Sequence, residues 1–310
     1  MLHSFAIASV LLLQSVLSPL FAELAKSSGG RVGVFATVIN AAGPDDRAEL
    51  NASERFPMQS VYKVPIVMAV LDQVDRKALT LNQKISLSEK DMVPAAAHSP
   101  MRDKYPRGGI DVSIRDLIRA AIVESDGTAS DVLLRVAGGG PRVTAYLRGL
   151  GIRDMTVATS EADMTRDDMV QYRNDSTPQA AVELLKALWT ARTLTPASRQ
   201  LLLDDLVAST PGPKRLKGLL PPGTVVAHKT GTDGTRDGMT RATNDVGLIT
   251  LPGGRQLAIA VFIKDSTADE SAREATIAKI ARAAWDRWAS GQAPGQSSGR
   301  ASRLNSGQAR

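Results

Sequence analysis

The chain has 310 residues, 43% hydrophobic and 23% charged, a balance typical of a globular protein and not of a fibre or a disordered chain. It contains no cysteine and only three histidines, which excludes thiolate metal sites, thiol nucleophiles and disulfides, and argues against a multi-histidine metal centre. The formal charge of +6 suggests nucleic-acid binding only if the cations cluster in the folded part.

The first 22 residues are apolar and contain no Lys, Arg, Asp or Glu. The apolar run 5–17 is too short to cross a bilayer comfortably, and Pro19 and Ala22 fit the cleavage region of a secretory signal. Residues 1–22 are therefore predicted to be a signal peptide. An N-terminal membrane anchor or a buried helix is the alternative, because only His3 stands where a cation is expected.

The rest of the chain predicts strands at both ends and helices between them. Alternating β-branched segments predict strands at 31–41, 225–232, 243–251 and 256–264. Helical periodicity predicts helices at 61–77, 114–123, 128–137, 141–150, 178–193, 196–207 and 270–290. This order indicates one α+β domain, residues 23–290, in which the first strand joins late strands and a helical lobe, about 60–210, is inserted.

Two long stretches, 88–109 and 157–177, lack periodicity and are predicted to be functional or disordered loops; a solvated charge run would also explain the acidic second one. The last 20 residues, 291–310, are rich in Gly, Ser, Gln and Ala and predict a disordered low-complexity tail. Three arginines in that tail account for half of the net charge. Since the other cations are scattered, no nucleic-acid partner is predicted.

Four short motifs are the candidates for a catalytic site. Ser60 and Lys63 lie one turn apart at the start of a predicted helix, where an amine can help to activate a hydroxyl nucleophile, although a capping serine and a solvated lysine give the same pattern. Ser125-Asp126-Gly127 lies between two helices, Lys229-Thr230-Gly231-Thr232 ends an apolar strand, and Glu161 lies in the acidic loop. Each is weak alone, and their order and spacing together give them weight.

The combination resembles the serine β-lactamase and penicillin-binding protein superfamily, whose signature is S-x-x-K, S-D-N and K-T-G. The class A β-lactamases, and their PER-type extended-spectrum branch above all, are similar in FPMQSVYK at 56–63, SEADM at 160–164, VQY-N at 170–174, RLKGLLPPGTVVAHKTGT at 215–232 and ATNDVG at 242–247. The resemblance covers nearly all of residues 30–288. It implies a three-layer α+β sandwich with an antiparallel sheet, and an exported, monomeric periplasmic or secreted bacterial enzyme without metal or organic cofactor.

The resemblance also implies roles for single residues. Ser60 is the acylated nucleophile, the backbone N–H groups of Ser60 and Thr232 form the oxyanion hole, and Lys63 lies beside the hydroxyl. Ser125 passes a proton to the departing lactam nitrogen with help from Lys229. The substrate carboxylate and acyl group are bound at Lys229, Thr230, Gly231 and Thr232, by Arg215, and near His98 and Gly127. Arg236 and Arg241 compete with Arg215 for the carboxylate, and a structural or exposed role for His98 stays open.

Glu161 distinguishes a β-lactamase from the other functions found in this superfamily. A carboxylate that activates water against the acyl-serine makes a β-lactamase that hydrolyses penicillins and cephalosporins; without it, a D,D-peptidase or a β-lactam-sensing domain holds the adduct. Whether Glu161 or Lys63 is the base for acylation stays open.

Four departures from the family pattern affect substrate range and the loop. Gly127 replaces an asparagine, Thr165 stands where an asparagine commonly helps to hold water, and Thr159 replaces an arginine that clamps the loop. Asp233 adds a carboxylate after the oxyanion residue, which is expected to repel anionic substrates unless it is paired.

Overall fold

A computed structural model describes residues 17–40, 46–190 and 193–290. The helices are α1 (Leu17–Ala25), α2 (Lys63–Asp75), α3 (Pro100–Lys104), α4 (Ile114–Val123), α5 (Gly127–Val136), α6 (Gly140–Gly149), α7 (Glu161–Met164), α8 (Pro178–Trp189), α9 (Pro196–Val207) and α10 (Glu270–Ala289). The strands are β1 (Arg31–Val38), β2 (Arg47–Leu50), β3 (Phe56–Pro57), β4 (Lys84–Ser88), β5 (Gly108–Ser113), β6 (Met155–Thr156), β7 (Asp175–Ser176), β8 (Val226–Thr232), β9 (Thr235–Arg236), β10 (Met239–Thr250) and β11 (Gln256–Ser266).

The main sheet joins the two ends of the chain, which confirms the predicted α+β architecture. Its order is β2-β1-β11-β10-β8, with β9 added to β10, and each neighbouring pair is antiparallel. β1 pairs with β11 from Arg31 opposite Lys264 to Val38 opposite Leu257. β8, which carries Lys229-Thr230-Gly231-Thr232, therefore lies next to β10 with its other side turned to the helical lobe.

The two faces of the sheet bury different helices, because successive side chains of a strand point to opposite sides. Along β11, Ala258, Ala260 and Phe262 belong to a core that includes α2, α4, α5 and α8. The alternate residues Ile259 and Val261 belong to a second core that contains α1 and α10. The helices, the sheet and the second set of helices make the three layers.

Regular structure continues upstream of residue 23. The predicted boundary at Ala22 falls inside α1, where Leu17 is 8% exposed and Phe21 is fully buried in the core shared with α10. An apolar segment that looks like the end of a leader thus also supplies core side chains. Most of the predicted leader, 1–16, and the whole predicted tail, 291–310, lie outside the described residues.

Several elements differ from the expectations. β10 starts at Met239 instead of 243, because Asp237 and Gly238 adopt positive φ and form a tight turn after β9. Part of the aperiodic stretch 88–109 is regular: α3 lies within it, and β5, which starts at its end, forms a hairpin with β4. The stretch 157–177 holds only α7, a 3₁₀ turn and β7. Among the described residues, none forms a helix of the length and apolarity needed to span a membrane.

Candidate active site

Ser60 lies in a 3₁₀ turn, Gln59–Tyr62, that runs directly into α2. The turn is fixed against the sheet: the Asn244 side chain of β10 donates to the carbonyl oxygens of Pro57 at 2.8 Å and Met58 at 3.1 Å. Gln59 has a φ of 46°, so the residue before Ser60 adopts a conformation that is rare outside glycine. Backbone strain at this point is characteristic of functional sites.

Two buried lysines converge on Ser125. Lys229 Nζ lies 2.8 Å from Ser125 Oγ, and Lys63 Nζ lies 2.6 Å from the Ser125 carbonyl oxygen and 3.4 Å from its Oγ. Lys63 is 1% exposed and Lys229 is not exposed at all. Burial, together with the charge of Lys63, lowers the pKa of Lys229 well below its usual range. The Ser125 hydroxyl is therefore placed between two amines that can exchange protons with it.

Glu161 reaches the same cluster from the loop. Its Oε1 lies 2.9 Å from Lys63 Nζ. Glu161 is the first residue of α7, and the Asp131 carboxylate of α5 accepts hydrogen bonds from the backbone N–H groups of Glu161 at 2.7 Å and Ala162 at 3.0 Å. Burial raises the pKa of Asp131 to about 7. Asp131 thus holds the loop against α5 and carries Glu161 to Lys63.

The end of β8 passes very close to the Ser60 turn. A Cβ added to Gly231 would lie 2.2 Å from the Met58 carbonyl oxygen, so this position accepts only glycine. Thr230 is buried and Thr232 is exposed at the mouth of the cluster. The glycine of the K-T-G motif therefore allows the strand to bring the Thr232 backbone next to the nucleophile.

The three competing arginines have different neighbours. Arg215, 3% exposed, lies behind β8: its Nη1 donates to the carbonyl oxygens of Asn244 at 3.0 Å and Gly231 at 3.4 Å, and its Nε is 3.2 Å from Glu274 Oε1. Arg236 and Arg241 instead pair with Asp168 in the loop. Of these three arginines, only Arg215 hydrogen-bonds to the K-T-G strand in the described part of the chain.

His98 and Gly127 lie together at the edge of the cluster. The Gly127 N–H donates to the His98 carbonyl oxygen at 2.9 Å, and the exposed His98 ring lies 3.0 Å from the Glu124 carbonyl oxygen. A Cβ on Gly127 would lie 2.9 Å from the His98 oxygen and 3.5 Å from Glu161 Cγ. The segment before Ser99 therefore lies so close to α5 that Gly127 fits, whereas the asparagine that is usual at this position would require a shift of the backbone.

Side-chain hydrogen bonds hold the loop 157–177, in which Thr159 and Thr165 depart from the family pattern. Asn174 Oδ1 accepts from the N–H groups of Ala158 and Thr159 at 2.8 and 3.0 Å, and its Nδ2 donates to the Thr159 carbonyl at 2.9 Å. The Thr165 hydroxyl donates to the Ala162 carbonyl at 2.8 Å. Asp233 is paired after all, since its Oδ2 accepts from Gln171 Nε2 at 2.7 Å.

The sequence reasoning missed the residues that support this site. Asp131, Asn174, Gln171, Asp168 and Asn244 do not touch the reacting groups, and a polar residue at such positions looks like an ordinary surface residue in sequence. The only available signal was the match of VQY-N and ATNDVG to the family pattern, which includes Gln171, Asn174 and Asn244.

Comparison with known proteins gives one consistent result. Residues 17–288 match the model of the beta-lactamase enzyme family. The chain is 41% identical over 274 residues to extended-spectrum beta-lactamase PER-1 of Pseudomonas aeruginosa, covering 87% of this chain and 88% of the relative, and 35% identical over 263 residues to beta-lactamase VEB-1 of the same organism, covering 84% and 86%. The crystal structure of TLA-1 extended spectrum beta-lactamase superposes with a TM-score of 0.85 at 38% identity, covering 89% of this chain and 99% of that one.

Proposed function

The chain belongs to the beta-lactamase enzyme family and is a class A serine β-lactamase, and from that premise we propose which of its side chains carry each step of β-lactam hydrolysis. Ser60 is the nucleophile, Lys63, Ser125 and Lys229 move its protons and those of the lactam nitrogen, and Glu161 activates the water. The observation that carries this assignment is the convergence of Lys63 on both Ser125 and Glu161.

In acylation, Ser60 Oγ bonds to the lactam carbonyl carbon while its proton passes to Lys63, directly or by way of Glu161. The backbone N–H groups of Ser60 and Thr232 stabilise the oxyanion. The carbon–nitrogen bond of the ring then breaks, and the Ser125 hydroxyl gives its proton to the nitrogen. Lys229, whose lowered pKa favours proton release, restores that proton across a 2.8 Å contact, and the proton that Lys63 took from Ser60 then returns to Lys229 through the Ser125 hydroxyl.

In deacylation, Glu161 removes a proton from a water molecule as the water oxygen adds to the acyl carbonyl. The ester bond to Ser60 breaks, the proton returns to Ser60 Oγ, and the product leaves as a carboxylic acid with an opened ring. The contact of Glu161 with Lys63 at 2.9 Å supports this role, because it places the base and the nucleophile's proton acceptor in one cluster.

The carboxylate common to penicillins and cephalosporins is bound by Lys229, Thr230 and Thr232, with Arg215 behind the strand adding positive charge. We extend the substrate range to an extended spectrum of β-lactams, because PER-1 and TLA-1 are named extended-spectrum beta-lactamases. His98 and Gly127 line the acyl side of the site, where the close approach of the His98 carbonyl oxygen to Gly127 takes the place of the missing asparagine side chain.

The enzyme is further proposed to act as an exported monomer, periplasmic or secreted, without stable membrane association. Because Leu17 and Phe21 are core residues, the leader is removed upstream of Leu17. N-terminal sequencing of the exported protein tests this, and a mature N-terminus at residue 23 would contradict it.

The decisive experiment compares wild type with Glu161→Ala on a chromogenic cephalosporin. The variant is expected to acylate and then stall, so mass spectrometry finds a stable adduct on Ser60 while wild type turns over. Glu49→Ala, an exposed carboxylate on β2, is the matched control and should behave as wild type. Equal turnover by wild type and Glu161→Ala would remove Glu161 from the mechanism, and a stable adduct in wild type would favour a D,D-peptidase or a sensor.

A further inference from the structure

The side chain of Gln171, in the loop 157–177, hydrogen-bonds to the residue before Ser60 and to the residue after Thr232. Gln171 is 2% exposed. Its Oε1 accepts a hydrogen bond from Gln59 Nε2 at 2.7 Å, and its own Nε2 donates to Asp233 Oδ2 at 2.7 Å. Gln59 immediately precedes Ser60, and Asp233 immediately follows Thr232.

We infer that Gln171 is a positioning residue that sets the distance between the Ser60 and Thr232 backbone N–H groups, and so tunes the oxyanion hole from the loop that carries Glu161. The inference rests on the proposed function, because it takes these two N–H groups as the oxyanion donors.

The hydrogen bonds of Gln171 to Gln59 and Asp233, which together form a bridge between these two residues, fix the orientation of the Gln171 amide. Nε2 faces only acceptors: Asp233 Oδ2, the Asp168 carbonyl at 2.8 Å and Asp168 Oδ1 at 3.1 Å. Oε1 is thereby left to accept from Gln59. Asp233 is half-buried, burial raises its pKa, and the hydrogen bond from Gln171 opposes that increase. The carboxylate that departs from the family pattern is therefore the second anchor of the bridge.

The turn that contains Ser60 is held by the sheet on one side and by the loop, including the bridge through Gln171, on the other. On one side, Asn244 and the close approach of Gly231 fix Pro57 and Met58 to the sheet. On the other side, the Met58 N–H donates to the Asn174 carbonyl oxygen of the loop at 2.8 Å, and among the hydrogen bonds of the described residues only the Gln59 side chain ties the positive-φ residue itself to the loop. An oxyanion hole needs its donors held within a few tenths of an ångström, so removal of this second support is expected to misplace them.

The test uses Gln171→Ala and measures acylation and deacylation separately. Both steps pass through an oxyanion, so both rates are expected to fall by a similar factor, about tenfold or more. Arg241→Ala serves as the comparison, because it removes the 2.9 Å pair with Asp168 while Arg236 still pairs with Asp168 and the hydrogen bonds of Gln171 to Gln59 and Asp233 stay in place. It should slow deacylation alone. Gln200→Ala, an exposed glutamine on α9, should leave both rates unchanged.

A spectroscopic measurement distinguishes positioning from a merely structural role. In a Glu161→Ala background, the infrared band of the acyl carbonyl reports its hydrogen bonds. Adding Gln171→Ala should move this band to higher frequency, whereas adding Arg241→Ala should not. Asp233→Ala, at a half-exposed position that tolerates truncation, should move it in the same direction and keeps the test valid if Gln171→Ala folds poorly.

The outcomes separate the two proposals. An unmoved band and unchanged acylation in both Gln171→Ala and Asp233→Ala overturn the inference, while an adduct on Ser60 in Glu161→Ala alone still supports the proposed function. Absence of β-lactam turnover by the wild type, together with absence of any Ser60 adduct in Glu161→Ala, overturns the proposed function itself.

Discussion

The acylation centre and the loop 157–177 are built in contrasting ways. Ser60, Lys63, Ser125 and Lys229 are placed by regular elements: a turn that leads into α2, the start of α5 and strand β8. Glu161 is placed by a loop whose anchors are single side chains, above all Asn174 and the Asp131 carboxylate.

This difference teaches which half of the reaction is more easily changed. Apart from the contribution of Gln171 to the oxyanion hole, acylation depends on groups that the hydrophobic core holds in register, so only substitutions of those groups themselves should abolish it. Deacylation depends on a few polar contacts, so a substitution that never touches substrate should impair it.

The largest effect is expected within the acylation centre. Lys63→Met removes the amine between Ser125 and Glu161, and kcat/KM for a chromogenic cephalosporin should fall by about 10²–10⁴. Lys90→Met, at an exposed lysine, is the control and should retain wild-type kinetics. A loss of less than tenfold would show that Lys63 is not needed to move the proton of Ser60.

The next effect tests the loop anchor. Asn174→Ala removes three hydrogen bonds to the backbone of Ala158 and Thr159. The free energy of unfolding should fall by about 2–4 kcal/mol, measured by urea denaturation, because the buried backbone N–H and C=O of Thr159 lose their partners. Deacylation should slow while acylation is largely kept.

Asn82→Ala, at an exposed position, is the control for Asn174→Ala. If Asn174→Ala slowed acylation as strongly as Lys63→Met does, the two regions would not be separable.

A pH-dependent effect follows from Asp131. Its pKa is raised from 3.8 to about 7, so between these values the folded protein keeps a proton that the unfolded chain has lost. Stability contributed by this group is therefore greatest at low pH and declines as pH rises towards 7, by at most about 1.4 kcal/mol per pH unit. Asp131→Asn does not titrate, so unfolding measured from pH 5 to pH 8 should favour the variant progressively up to about pH 7. A stability difference that is constant with pH would contradict the raised pKa.

The same contrast explains what the sequence could reveal. The strands and long helices were predictable because apolar periodicity encodes burial, and the acylation motifs because nucleophile and lysine occupy one helical turn. The side chains that anchor the loop were not predictable, because the contacts of Asn174 or Gln171 with distant residues depend on tertiary folding, which leaves no local pattern in the sequence. The N-terminal segment stayed open between a signal peptide, a membrane anchor and a buried helix for another reason: an apolar segment that ends a leader and one that fills a core have the same composition.

The smallest effect is expected at the exposed side of the loop, where Asp168 pairs with both Arg236 and Arg241. Arg236 is 49% exposed on its side chain, so solvent screens its pair, and Arg236→Ala should change the free energy of unfolding by less than about 1 kcal/mol. Asp168 then still has Arg241, and its carboxylate, whose pKa is lowered by both arginines against the opposing effect of burial, stays ionised. The double variant should therefore lose more stability than the two single variants together, because only it leaves Asp168 without either cation. Strict additivity in a double-mutant cycle at low salt would show that the two arginines anchor the loop independently.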